Sequence, residues 1–455
     1  MRQILSRSVA GGGSLVSLVS VALMASAALP VRTASAATIH VMNCNDSGVG
    51  SLRGSVASAL SGDTIDLTML RCSRIVLTSG QISIAQHDLS LIGPGRSRLT
   101  LDGNHASRIF LHDAGDTMPG NLVVKSMTLA NGHVPLPPGF SDPPPTGGCI
   151  NSNHNVELNG IDLHDCLVDY ESGIGSVGGG VFANGNLRII NSNVFSNAAP
   201  GGAGGGALSL GDLVVYRSRI YNNNAQLGGG LYALHNASLS YSTVDNNTTT
   251  GVDLNAEGGG IYSEILVVNK STVSNNMSLG HNPDGGGAAA RSRAYIYDST
   301  FSGNVSSKGT AIYGDGGDVR ISNSTIAFNQ ENSGESATES FGAVTAGNLY
   351  VNSSIIARNR LDAGAGNDIG FVLSLRGTNN LIERSTIPLP AGTLSVNPLL
   401  APLANNGGPT RTHALLNGSP AIDRGNNLRH RLYDQRGPGF VRVKGTAADI
   451  GAFEH

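Results

Sequence analysis

Apolar and polar positions recur in one fixed frame between residues 189 and 359. Each copy carries an aliphatic residue, a Ser three places on, an aliphatic residue or Phe two places after that, and an Asn three places later. The Ser/Asn pairs are Ser192/Asn197, Ser218/Asn223, Ser242/Asn247, Ser271/Asn276, Ser299/Asn304, Ser324/Asn329 and Ser354/Asn359. The aliphatic residues before Ser run from Ile189 through Leu239 to Val351; those after it run from Val194 through Phe301 to Ile356. The copies return at a period of roughly 27 residues, the length of one coil of a solenoid. Val, Ile, Tyr, Thr, Ser, Asn and Gly dominate them, which favours strands and turns over helices. In Leu239-Ser-Tyr-Ser-Thr-Val244 the inward residues flank a corner.

A second landmark opens the coils: Gly178-Gly-Gly-Val, Gly204-Gly-Gly-Ala, Gly228-Gly-Gly-Leu, Gly258-Gly-Gly-Ile and Gly285-Gly-Gly-Ala, with weaker forms at Gly147-Gly-Cys-Ile and Gly309-Thr-Ala-Ile. Glycine there admits backbone angles and close stacking that a Cβ blocks. The pattern predicts an all-β, single-stranded parallel β-helix. Stacked coils put each Asn about 4.8 Å from the next, so Asn197, Asn223, Asn247, Asn276, Asn304, Asn329 and Asn359 are expected to form an inward amide ladder. Neutral Asn does no acid–base chemistry, so the ladder describes a scaffold.

Gly-Gly-x-aliphatic followed by aliphatic-x-x-Asn, fullest at Phe301-Ser-Gly-Asn304, resembles the repeats of polymorphic outer-membrane proteins over residues 147–360. The resemblance implies a right-handed parallel β-helix on a cell surface. Near the start, Asp46-Ser-Gly, Gly50-Ser-Leu-Arg53 and Gly62-Asp-Thr-Ile65 resemble the beginning of exported β-helix proteins, with Gly54-Ser55 where those carry an acidic residue and Ala. Leu52, Val56 and Leu60 share one helical face. A short helix there would cap the first coil, whose open edge would otherwise invite pairing.

Residues 1–36 read as a signal peptide: Arg2 and Arg7 lead, Leu15 to Leu29 is apolar and small, and Ala34-Ser-Ala36 suits cleavage. An uncleaved anchor is the alternative; no later segment could cross a membrane. Four Cys in an exported chain allow three pairings. Cys44–Cys72 would tie the first strand to the next coil. Cys149 falls in the third Gly column and Cys166 in the Asn column, so Cys149–Cys166 would replace ladder residues within one coil. Free thiols are the alternative.

Asn397-Pro-Leu-Leu, Gly407-Gly-Pro-Thr-Arg-Thr-His413, Gly418-Ser-Pro-Ala-Ile-Asp-Arg-Gly425, Asp434-Gln-Arg-Gly437 and Asp449-Ile-Gly-Ala-Phe-Glu454 resemble the choice-of-anchor Q module. That implies a secreted or surface β-helix. The expected layout is signal peptide 1–36, N-terminal cap 37–61, coils 62–385 and a C-terminal module 386–455 packed on the last coils. Within it the 449–454 stretch is expected as a strand paired to the solenoid with Phe453 buried. Loops at His133–Gly148, Thr248–Glu257, Ser278–Asp284 and Glu331–Ser340 are expected at coil corners.

Composition adds little chemistry. The chain has 455 residues, 62 of them Gly, no Trp and a formal net charge of −3, which gives no reason to expect nucleic acid as partner. β-Helix enzymes set carboxylates, or a carboxylate and a base, on adjacent coils. No Asp-Asp dipeptide occurs. Asp162-Leu-His-Asp165 with Asp169 and Glu171 is the best acidic cluster and reads as a solvated turn. Arg442-Val-Lys444 resembles a polygalacturonase basic element but lies outside the coils. Asp315-Gly-Gly-Asp318 is too isolated for calcium. No catalytic residue, metal or cofactor is expected. One outward column, Phe182, Leu208, Tyr232, Tyr262, Ala289, Tyr313 and Thr345, could stack on sugar rings through Phe182, Tyr232, Tyr262 and Tyr313, or stack on itself. The sequence reading is thus an exported, monomeric, non-catalytic β-helix, extracellular or on the cell surface with the periplasm as the alternative, that contacts polysaccharide or another surface. A polysaccharide lyase or glycoside hydrolase, and a structural envelope component, are the alternatives.

Overall fold

The structure, a computed structural model, describes residues 36–115, 118–136, 145–169, 175–251, 256–280, 283–332, 342–361 and 367–455. It is a parallel β-helix with a single short helix. Among the described residues it has three sheets, of 19, 12 and 9 strands, the third present only from His133 to Leu361. One coil shows the plan. Leu231–Ser240 lies in the first sheet, Thr243–Asp245 in the second and Thr248–Gly251 in the third. Each strand pairs in parallel with the same position one coil on, as Val244 with Val273 and Val273 with Phe301.

Both corners turn on a single left-handed residue. Arg217, Tyr241, Lys270, Asp298 and Ser353 precede the Ser column with φ of 49°, 51°, 49°, 45° and 46°. Asn222, Asn246, Asn275 and Phe328 precede the Asn column with φ of 56°, 56°, 54° and 60°. For residues other than Gly this region costs roughly 1–2 kcal/mol, so something must hold it. The Ser hydroxyl does. Ser218 Oγ donates to the Tyr216 carbonyl at 2.9 Å, across the left-handed Arg217, and Ser242 Oγ donates to the Ser240 carbonyl at 2.9 Å. The same oxygen accepts the backbone N–H of the preceding coil's Ser: Ser218 to Ser242 at 3.2 Å, Ser242 to Ser271 at 3.1 Å. The Ser column is therefore a second ladder.

The Asn amides are buried and stacked. Asn247 donates its backbone N–H and its Nδ2 to Asn276 Oδ1 at 3.0 and 2.9 Å, and Nδ2 also reaches the Ile220 carbonyl at 2.9 Å. The arrangement repeats from Asn197 through Asn223 and Asn304 to Asn329. At the far end Asn359 Nδ2 donates to Asp368 Oδ1 at 2.8 Å; at the near end the Cys166 N–H donates to Asn197 Oδ1 at 3.0 Å. The third glycine of each landmark makes room. A Cβ on Gly230 would sit 2.9 Å from Asn247 Cγ, and one on Gly260 2.9 Å from Asn276 Cγ. In the coil before Gly180 and Asn197 that touching pair is Cys149 and Cys166, which form a disulfide. Cys44 and Cys72 form the other.

The two ends are closed differently. Leu52–Ser58 is helical, with Ser51 Oγ accepting the Gly54 N–H, and buries Leu52 and Val56 against the first coil. At the other end Ile387 and Leu389 pack on the core. The rest of the C-terminal module, from Asn397 on, lies on the outer face of the second sheet. Thr272 Oγ1 donates to the Arg411 carbonyl, His413 Nε2 meets Ser302 Oγ at 2.9 Å, and the Ala452 N–H donates to Thr325 Oγ1 at 3.1 Å. Lys270 Nζ donates to the carbonyls of Tyr433 and Asp434.

The module's charged residues hold it together. Asp434 Oδ2 accepts the Glu454 N–H and the Arg436 guanidinium; Glu454 accepts the N–H groups of Lys444 and Asp449. Arg442 is fully buried and donates to the Gly451 and Asp449 carbonyls, so the basic element is structural. Residues 449–454 form no regular strand, because Pro- and Gly-spaced segments are held by side chains rather than by a backbone ladder. Phe453 is only partly buried, under the Arg436 guanidinium.

Candidate functional site

The outward aromatic column forms in register: Phe182 pairs with Leu208, Leu208 with Tyr232, Tyr232 with Tyr262, Tyr262 with Ala289 and Ala289 with Tyr313. Its surroundings are closer than alternation alone suggests. The first glycine of each landmark, φ 67° at Gly178 and 66° at Gly258, folds the backbone back over the column. A Cβ on Gly178 would lie 2.9 Å from Phe182 Cβ, and one on Gly258 3.1 Å from Tyr262 Cβ. Tyr262 is left 8% exposed, and Leu208 and Ala289 are buried. Tyr232 and Tyr262 turn their faces to each other, centroids 5.0 Å apart and planes within 8°. The column therefore offers a ligand its hydroxyl edges more than its ring faces.

Charged groups border those edges. The position just before the landmark holds Val177, Ala203 and Leu227 in earlier coils, then Glu257, Asp284 and Lys308 on three consecutive ones. Glu257 bridges to Asp284 and Asp284 to Lys308 in parallel register. Lys308 Nζ is 3.8 Å from Asp284 Oδ1. Asp284 is 5% exposed, and its Oδ1 has no hydrogen-bond partner. Tyr313 Oη donates to Asp315 Oδ1 at 3.4 Å, and the exposed Arg291 cation is close enough to Tyr262 and Glu257 to act on both electrostatically.

Burial sets the protonation here. It pushes the Asp284 carboxyl up to about 6, against the pull of Lys308 and with Glu257 and Asp315 adding to the rise. Burial also raises Glu257, with Asp315 adding and Arg291 opposing. Burial, then Glu257, lifts the Tyr262 hydroxyl to about 12. Near neutral pH the tyrosines are protonated donors, Asp284 sits close to its protonation boundary, and the adjacent Glu257 is shifted upward in the same direction. Such a set can give and accept hydrogen bonds with hydroxyl groups, and can exchange a proton.

Sequence reasoning missed these carboxyls because it searched for acids within a coil. The signal lay across coils, as three charged residues at one repeat offset. The acidic cluster chosen from sequence does not converge. Asp162 accepts from Asn193 at 2.8 Å, His164 meets Asp165 at 2.7 Å, and Asp169 meets His133 at 2.9 Å. Glu171 lies outside the described residues. His164 instead stacks on Phe195, which stacks on Tyr221, centroids 4.6 and 4.8 Å apart, on the second sheet. Among the described residues no group of three or more His, Cys, Asp or Glu could hold a metal ion.

No protein-family model matches the chain. No curated protein matches it either. Among solved structures the chain is similar to the crystal structure of pectate lyase Pel9A, with 14% identity and a TM-score of 0.43, over 92% of this chain and 97% of that one. A likeness this distant bears on neither activity nor substrate.

Proposed function

We propose that the chain is an exported β-helix protein, on the cell surface or released from it, that binds a neutral glycan along the column of Tyr232, Tyr262 and Tyr313. The reading rests on one observation above others: Glu257, Asp284 and Lys308 stand on three consecutive coils beside that column. Polar groups repeating along an axis suit a polymer that also repeats. A polyuronate fits poorly, because its carboxylates would meet Glu257, Asp284 and Asp315. The two disulfides suit export, and no helix among the described residues is long and apolar enough to cross a membrane. Residues 386–455 are read as a module of the choice-of-anchor Q type.

A second reading, glycoside hydrolysis, is favoured by the neighbouring Glu257 and Asp284, one able to act as acid while the other acts as base. One set of measurements separates these readings. Affinity electrophoresis against neutral and uronic polysaccharides is expected to show retardation in a neutral gel that Glu257→Gln with Asp284→Asn abolishes. Reducing-end release from the same polymer would favour the hydrolase. No retardation by any glycan would sink both.

A further inference from the structure

The last strand of the first sheet, Ile369–Thr378, is bonded on one side only. It pairs in parallel with Val344–Asn352. On its other side, among the described residues, Ile369 alone is bridged, to Ser385. Residues 370–378 thus present an open edge, the feature most prone to recruit another strand. The usual guards are missing: the segment has no Pro or Lys, and Arg376 is its one charge. Two large apolar side chains stand on it in water, Phe371 at 63% and Leu373 at 75% exposure. The plug of Ile387 and Leu389 covers the core, and the module covers the second sheet; among the described residues the module meets this edge only at its last residue, where Asn426 Nδ2 donates to Thr378 Oγ1 at 3.5 Å.

We propose that this edge is a self-association surface, on which two copies pair tail to tail and antiparallel through residues 370–378. A second copy fits because a strand related to itself by a two-fold axis matches its own length, and its apolar residues meet their equivalents. The opposite end of the solenoid is a poor partner. Its edge strand, Thr38–His40, has three residues and stands beside the capping helix, so head-to-tail contact would leave most of the ten-residue Ile369–Thr378 strand unpaired. Isologous pairing also closes at two copies, whereas head-to-tail pairing grows into filaments. The charged column at Glu257 and Asp284 lies several coils away and takes no part.

Sedimentation velocity on the full chain, from about 1 μM to about 100 μM, tests this in the range where a small interface dissociates. A monomer–dimer equilibrium is expected. Leu373→Lys and Phe371→Lys should each weaken it by about tenfold or more. Leu432→Lys, equally exposed at 75% but outside the edge, should leave it unchanged. Melting temperatures identify any variant that has lost its fold, and the other edge variant then decides. A wild-type chain that stays monomeric throughout overturns the proposal. So does a dimer indifferent to both edge variants, or growth past two copies with concentration.

Discussion

Ser242 and Asn247 show how single residues hold this fold. Each follows a left-handed corner residue, and each gives a side-chain group to its own coil and takes one from a neighbour. Removing either leaves buried backbone groups without partners. Asn247→Ala and Ser242→Ala should each cost on the order of 1–3 kcal/mol, read from urea or thermal unfolding. Gly230→Ala should also destabilise, since its Cβ would meet the Gly260 carbonyl oxygen at 2.7 Å. Asp284 behaves differently. Its folded pKa lies above the ordinary carboxylate value of 3.8, at about 6, so the folded state holds the proton more tightly. Its contribution is fully present below about pH 4 and is lost as pH rises through 6. Asp284→Asn should remove that part of the slope, seen as a smaller fall in melting temperature between pH 4 and 6 than in wild type. An unchanged slope would show that Asp284 is not the group responsible.

At the scale of the coil, the repeat made much of the structure legible before any coordinates. Strand positions, the Asn stack and the columns held by Cys149 and Cys166 follow from offsets, because in a solenoid one offset is one place; the helix came from its own apolar spacing, and Leu60, expected on its face, lies beyond its end and is exposed. The corners were not legible. Arg217, Tyr241 and Phe328 do not announce a left-handed backbone; the hydroxyl or amide of the next residue makes it tolerable. The site was only half legible. Alternation gives the outward direction of Tyr262, but the folding back of Gly258 over it comes from a φ of 66° that the sequence does not state. The disulfide coil supplies a test of this logic. Cys149→Gly with Cys166→Asn restores the pair found one coil on, at Gly180 and Asn197. It should lose less stability than Cys149→Ala with Cys166→Ala, for which about 3 kcal/mol is expected from a loop of this size. Equal losses in thermal unfolding would show that the ladder does not substitute for the cross-link.

At the scale of the whole molecule, the C-terminal module is a cladding for one face. Gln435 Nε2 bonds Thr272 Oγ1 at 3.0 Å, its Oε1 accepts from Thr300 Oγ1 at 2.6 Å, and Ala421 and Ile450 join Ile355 in a small apolar cluster. Deleting residues 397–455 should bare that face and give a chain that aggregates on concentration, as light scattering would report. A truncated chain that stays monodisperse and keeps its melting temperature would make the module an appendage. The cladding lies on the second sheet and the Tyr262 column on the first, so the proposed recognition surface is a different side of the solenoid. The most direct test is therefore titration calorimetry of the wild-type chain and of the Glu257→Gln, Asp284→Asn double variant with the neutral polysaccharide that the binding panel selects. Saturable binding by the wild type, lost in a double variant that melts normally, is the predicted result. Equal binding by both proteins would contradict the account and move the recognition surface elsewhere on the molecule.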